Sequence, residues 1–186
     1  MYLEKLKLHN FRCYEKLEID FNRQLTVLVG KNGSGKTTVL EAIAIALGTW
    51  FVGFNIVNAK GINKRTDPLR KAYQIGATDD VQTQFPVEIE AWGKIEESKD
   101  QILHWKRELY TPTGTMTTKD AKEIVEYAAE YQKAISEGRT DIYLPMVAYY
   151  GTGRLWDYHR QKRTDVFKVS SRTNGYIDCL DGTANV

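Results

Sequence analysis

Apolar and charged positions alternate twice close to the N-terminus. Leu6 and Leu8 alternate with Lys5, Lys7 and His9, and Leu17, Ile19 and Phe21 alternate with Lys16, Glu18 and Asp20. A period of two with one apolar side marks a strand with one buried face, and two such segments in succession predict an antiparallel pair. Leu25-Thr26-Val27-Leu28-Val29 is apolar without alternation, which predicts a strand covered on both faces. Thr38 to Leu47 is rich in Ala, Leu, Ile and Glu, so a helix is predicted there with Gly48 as its stop.

Gly48 to Asp80 mixes apolar, glycine and basic residues and predicts irregular structure. Val87, Ile89 and Ala91 then alternate with Glu88 and Glu90, and Leu103, Trp105, Arg107 and Leu109 with His104, Lys106 and Glu108. These predict a second antiparallel pair joined through the polar stretch Glu96 to Asp100. Asp120, with Glu123 three positions on, predicts a helix N-cap. The helix it starts carries Ala121, Ile124, Val125, Ala128 and Ile135 on one face and ends at Gly138. Ile142 to Tyr150 is apolar around Pro145 and predicts a buried or edge strand, while Tyr158 to Asn174 is polar and basic.

The chain has 186 residues, of which 42% are hydrophobic, enough for the core of one domain of ordinary size or part of a larger one. A formal net charge of +2 is too small to argue for nucleic acid or membrane, so a DNA reading must rest on local patches. The two cysteines, Cys13 and Cys179, are far apart and match no metal spacing. No stretch approaches the roughly 20 apolar residues that span a bilayer, and no ordinary signal peptide opens the chain. These features predict a soluble, cytoplasmic protein without a membrane partner.

Between the predicted buried strand and the predicted helix lies Gly30-Lys31-Asn32-Gly33-Ser34-Gly35-Lys36-Thr37, which fits G-x-x-x-x-G-K-[ST] at every fixed position. Glycines here let backbone amides approach phosphates, and consecutive N–H groups form an anion nest continued by the positive end of the helix. The Lys36 ammonium reaches the β- and γ-phosphates, and the Thr37 hydroxyl is a magnesium ligand. The candidate nucleotide-binding residues are Gly30, Asn32, Gly33, Ser34, Gly35, Lys36, Thr37 and Thr38, with ATP and Mg2+ as the ligands.

The stretch LHNFRCYEKLEIDFNRQLTVLVGKNGSGKTTVLEAIAIALG resembles the first ATPase lobe of the SMC and RecF class of ABC-type ATPases. Asn10-Phe11-Arg12 matches that class's opening strand motif, and Asn32 to Thr37 its phosphate loop. This resemblance covers residues 1 to about 48. The chain is more closely similar to bacterial AAA-family predicted ATP-binding proteins involved in virulence, a group that overlaps the ATPase subunit of Septu-type and retron-linked antiphage defence. GINK at Gly61, FPVEIEAWG at Phe85, LPMVAYYGTGRLW at Leu144 and GYIDCL at Gly175 carry that likeness.

The resemblance implies an α/β P-loop fold, with a mixed sheet around the phosphate-loop helix and an antiparallel β-subdomain. It also implies a homodimer in which two heads sandwich two ATP molecules and move a DNA-facing or effector-nuclease-facing part. Arg12 is placed near the nucleotide by the same pattern. The loop Gly151-Thr152-Gly153-Arg154 is matched to the neighbourhood that senses the γ-phosphate. A solvated strand-end charge and a plain turn are the competing readings of these two features.

Several features of such heads are missing between Met1 and Val186: an apolar run followed by Asp-Glu (Walker B), an LSGG-like signature and a late switch histidine. The expectation is therefore that residues 1–186 are the N-terminal part of one longer ATPase domain, binding ATP without efficient turnover and with no catalytic residue of its own. The rival readings are a non-catalytic nucleotide-binding regulatory module and a P-loop kinase. The strands ahead of the loop argue against the kinase. Two basic clusters could hold nucleic acid: Lys60, Lys64, Arg65, Arg70 and Lys71, and His159, Arg160, Lys162, Arg163 and Arg172 beside Trp156 and Tyr158. Two solvated surfaces are the plainer reading. His9 and His104 read as structural or exposed, and Tyr149 and Tyr150 as packing residues.

Overall fold

The computed structural model describes residues 1–54, 59–75, 78–96, 101–151 and 171–182. Strands β1 (Tyr2–Phe11) and β2 (Tyr14–Asp20) form the predicted antiparallel pair, with Leu6 opposite Ile19 and Leu8 opposite Leu17. Strands β5 (Val87–Lys94) and β6 (Leu103–Leu109) form the second pair, and β1 joins the two. The result is a four-stranded antiparallel sheet of order β2-β1-β5-β6. Its inner face is built of cross-strand neighbours: Leu6 opposite Ala91, Leu8 opposite Ile89, Ala91 opposite Trp105 and Val87 opposite Leu109, all buried. The alternation read from the sequence is this face. The other face pairs Lys5 and Lys7 with Glu18, His9 with Glu88 and His104 with Glu90. Exposed pairs of this kind contribute little individually and chiefly keep the face soluble.

Helix α1 (Lys36–Val52) crosses the inner face, and Trp105 Nε1 donates to Ala46 O at 2.9 Å. Helix α2 (Lys122–Ser136) packs on α1, burying Ile124 and Ala128. The order is α/β, with all described strand pairs antiparallel. Among the described residues no helix is long and apolar enough to cross a membrane.

Several expectations are corrected. Gly48 does not stop α1; the helix runs on to Val52 and is closed by Gly53. The reason is packing: Thr49, Trp50 and Phe51 are buried, and a Cβ on Gly48 would lie 2.6 Å from Lys60 O. Gly48 is thus a contact glycine inside a helix. Alanine there would gain up to about 1 kcal/mol of helix propensity. It would also force a backbone apart, at about 1–3 kcal/mol. Gly48→Ala is therefore expected to destabilise the chain by up to about 2 kcal/mol in urea unfolding; a stabilised variant would contradict this packing.

Gly48 to Asp80 is not irregular throughout, since β3 (Arg70–Ile75) and β4 (Thr78–Thr83) form a separate hairpin. Asp120 is not an N-cap. It lies in the 3-10 turn Lys119–Ala121, α2 begins one residue after Ala121, and no side chain caps it. Asp120 faces Lys106 at 3.9 Å instead, a cation already held by Glu88 and Glu108.

Leu25 to Val29 is not a doubly covered strand. It has no strand partner among the described residues, and Leu25, Val27 and Val29 are 72%, 67% and 91% exposed. A strand needs neighbours for its N–H and C=O groups, and the described sheet ends at β2 and β6. Ile142 to Tyr150 likewise carries no ladder among the described residues and is not buried, with Tyr143 and Met146 each 92% exposed. Gly175 to Leu180 contributes to the 3-10 turn Arg172–Tyr176 and the turn that follows it.

A candidate nucleotide-phosphate site

The loop between Val29 and α1 has the backbone that the glycine pattern requires. Gly33 and Gly35 stand at φ +83° and +86°, left-handed values that side chains disfavour. Gly35 is the residue ahead of α1, and no side chain caps that end. The first N–H groups of a helix have no acceptor within it, so those of Lys36, Thr37 and Thr38 are offered to an anion together with the helix dipole. The Lys36 ammonium folds back over the loop and donates to Gly30 O at 2.7 Å and to Lys31 O at 2.8 Å. It stands over the nest, where phosphate oxygens would sit. A Cβ would fill the cradle at two points: on Gly30 it would lie 2.6 Å from Ser34 Oγ, and on Gly35 2.4 Å from the Tyr14 hydroxyl.

These features fit a nucleotide triphosphate: nest, helix end, cation and backbone clearance converge on one exposed surface. Magnesium fits through Thr37, whose exposed hydroxyl has no hydrogen-bond partner among the described residues. No group of three or more His, Cys, Asp or Glu among those residues could hold a metal alone. At this loop the donors that could carry the ion are Thr37 and phosphate oxygens.

The turn between β1 and β2 is pressed against this loop, which the sequence did not reveal. The Tyr14 hydroxyl donates to Ser34 O at 2.9 Å, and Cys13 Sγ lies 3.7 Å from Thr38 Oγ1. Arg12 is in the same turn, at φ +50°. Its N–H donates to Asp67 O at 2.6 Å and its Nε to Asp67 Oδ1 at 2.8 Å. Asp67 is buried, and its other oxygen accepts the Asn63 N–H. Arg12 is thus a fixed cation beside the loop. Only adjacency to a phosphate motif could have suggested Tyr14; nothing in the sequence links Arg12 to Asp67 across 55 positions.

Glu41, one turn into α1 from Thr37, takes Lys60 Nζ at 2.6 Å and the Tyr149 hydroxyl at 2.8 Å. Burial pushes the Glu41 carboxyl up, but these two hydrogen bonds and the charges of Lys60 and Arg12 outweigh it, leaving it below the ordinary range. Burial, then the bond to Glu41, pushes Tyr149 up to about 12. Tyr149 packs, as expected, and does so with a polar partner.

The first basic cluster is not one patch. Lys60 is turned to Glu41, Lys71 pairs with Glu15 at 2.8 Å, and Lys64, Arg65 and Arg70 remain exposed. Of the second, Arg172 donates to Arg139 O and Ile142 O. His159, Arg160, Lys162 and Arg163 lie outside the described residues, as do Trp156, Tyr158 and Thr152, Gly153 and Arg154 of the γ-phosphate loop. Gly151, the first residue of that loop, is described.

Comparison with known proteins agrees with this geometry. A family model described as an AAA domain matches residues 5–185. The chain is 51% identical over 43 residues to the DNA replication and repair protein RecF of Clostridium acetobutylicum, covering 23% of this chain and 12% of that protein. It is 53% identical over 45 residues to the DNA double-strand break repair Rad50 ATPase of Methanopyrus kandleri, covering 24% and 5%. It is 47% identical over 47 residues to structural maintenance of chromosomes protein 6 of Saccharomyces cerevisiae, covering 25% and 4%. The likeness therefore spans a small fraction of the length of these curated relatives.

Proposed function

This chain belongs to the AAA domain family, and from that premise we propose that it is the nucleotide-binding part of an SMC- and RecF-class ATPase that acts in DNA maintenance. The observation that carries the reading is the formed phosphate loop, with Gly33 and Gly35 left-handed and Lys36 poised over the carbonyls of Gly30 and Lys31. ATP is bound with magnesium at Thr37. Arg12 supplies a fixed positive charge beside the phosphates. Titration of the folded chain with Mg·ATP tests this, and an absence of saturable binding refutes it.

Hydrolysis belongs to groups beyond those described. The carboxylates of Asp67 and Glu41 are both taken, by Arg12 and by Lys60 with Tyr149, so neither is available to orient a water. The bare Leu25 to Val29 run supports the same reading, because further strands of a larger ATPase domain would give its backbone partners and cover Leu25, Val27 and Val29. In the assembled protein two such heads would close on two ATP molecules. The names of the RecF and Rad50 relatives favour DNA repair or maintenance; an antiphage role, with an effector nuclease, rests on the motifs at Gly61, Phe85, Leu144 and Gly175 alone.

A DNA partner has its own test. Lys64, Arg65 and Arg70 are the exposed remainder of the first basic cluster. If they meet phosphate backbone, duplex affinity falls steeply with salt through counterion release, and reversing the three charges weakens binding irrespective of sequence. Fluorescence anisotropy with a labelled duplex measures both. No binding at low salt removes DNA from the proposal.

A further inference from the structure

The carboxylate of Glu41 joins α1, which opens at the phosphate loop, to the segment from Leu144 to Gly151. Thr37 and Glu41 are four positions apart on α1, so they share a face and are separated by about 6 Å of rise. The segment from Leu144 to Gly151 runs along that face. Met146, Val147 and Ala148 line one cavity with Leu47 and Ile43, and Tyr149 reaches Glu41. With rising residue number the segment therefore climbs α1 toward its phosphate-binding end. On its other side the backbone is tied down, Tyr149 N–H donating to Cys179 O at 2.8 Å and Gly151 N–H to Gly182 O at 3.0 Å. Gly151 lies two residues further along in the same direction.

Lys60 completes the arrangement. Its Nζ binds Glu41 at 2.6 Å, donates to Leu180 O at 3.3 Å and lies 4.8 Å from the centroid of the Tyr149 ring. One ammonium thereby braces the helix, the climbing segment and the turn behind it.

We infer that Glu41, Tyr149 and Lys60 form a positioning clamp that holds the segment leading to Gly151 against α1 one helical turn from Thr37, the magnesium position of the proposed site, so that the metal-dependent part of ATP affinity depends on a hydrogen bond one turn away. The inference rests on the nucleotide reading proposed above. It assigns Glu41 and Tyr149 as positioning residues; neither has to touch the nucleotide.

Calorimetric titration with ATP, in excess magnesium and in excess EDTA, separates positioning from plain stabilisation. Wild type is expected to bind more tightly with magnesium. Tyr149→Phe, which removes one charge-assisted hydrogen bond, is expected to lose about tenfold of that gain while its affinity in EDTA stays unchanged. Glu41→Ala, which also frees Lys60, should lose at least as much, and the double variant should be no worse than Glu41→Ala, because Tyr149 acts through Glu41. Thermal melts establish that each variant is folded. Full retention of the magnesium gain in Tyr149→Phe, or equal losses with and without magnesium, overturns the clamp and leaves ATP binding standing. A folded wild type that binds no ATP removes the nucleotide reading, and the clamp with it.

Discussion

Purified as 186 residues, the protein is expected to hold Mg·ATP and to release phosphate roughly a thousandfold or more below the turnover of about 1 per second at the slow end for enzymes. On the proposed reading, the nest, the helix end, Lys36 and Thr37 make up the binding half of a phosphoryl-transfer site. Attack by water requires more: a group that orients the nucleophile, and positive or hydrogen-bonding groups that meet charge developing opposite the loop. Asp67 lies buried against Arg12, and Glu41 is locked between Lys60 and Tyr149. No apolar run followed by Asp-Glu occurs in the sequence. Groups that bind ground and transition states alike give no acceleration, and each missing electrostatic contact costs about 10²–10³ in rate. A phosphate-release assay with Lys36→Ala as contamination control decides the matter. Turnover near 1 per second in wild type, lost in the variant, would show a complete active site within these residues and refute the reading.

Lys36→Ala is the second large effect. The ammonium meets two carbonyls, of Gly30 and Lys31, in an exposed loop where water replaces it readily. The fold should therefore lose less than about 1 kcal/mol. Toward ATP the balance differs. Charge-assisted hydrogen bonds to two phosphates are each worth about 1.5–3 kcal/mol, so their loss should weaken Mg·ATP binding by about 10²-fold or more. Fluorescence titration beside a thermal melt measures both quantities. Unchanged affinity in a folded variant would remove Lys36 from the site.

The features legible in the sequence were those with a short period or a fixed spacing. Leu6 and Leu8 against Leu17 and Ile19 gave the β1–β2 pair, and Val87, Ile89 and Ala91 against Trp105 and Leu109 gave β5–β6. The phosphate loop was legible because its chemistry needs Gly, Lys and Thr at set intervals. What escaped depends on distant contacts. Gly48 looked like a helix stop because propensity is local, whereas its role is set by the Lys60 backbone. Leu25 to Val29 looked buried because composition records what a strand needs, not which strands lie beside it. Asp120 had the right spacing for a cap, but Lys106 lies within reach and α2 starts beyond it. Glu41 is one more charge on a helix until Tyr149 comes from 108 residues away and Lys60 from the segment that follows α1.

The central claim is that phosphate is held by the loop ahead of α1. The most direct measurement is the amide 1H–15N spectrum of the chain titrated with Mg·ATP. The largest shifts are expected at Gly33, Gly35, Lys36 and Thr37, where N–H groups would turn from water to phosphate oxygens, and they should vanish in Lys36→Ala. Shifts centred elsewhere, such as on the cavity of about 730 Å³ lined by Glu130, Tyr131 and Arg139, with the loop amides unmoved, would contradict the account.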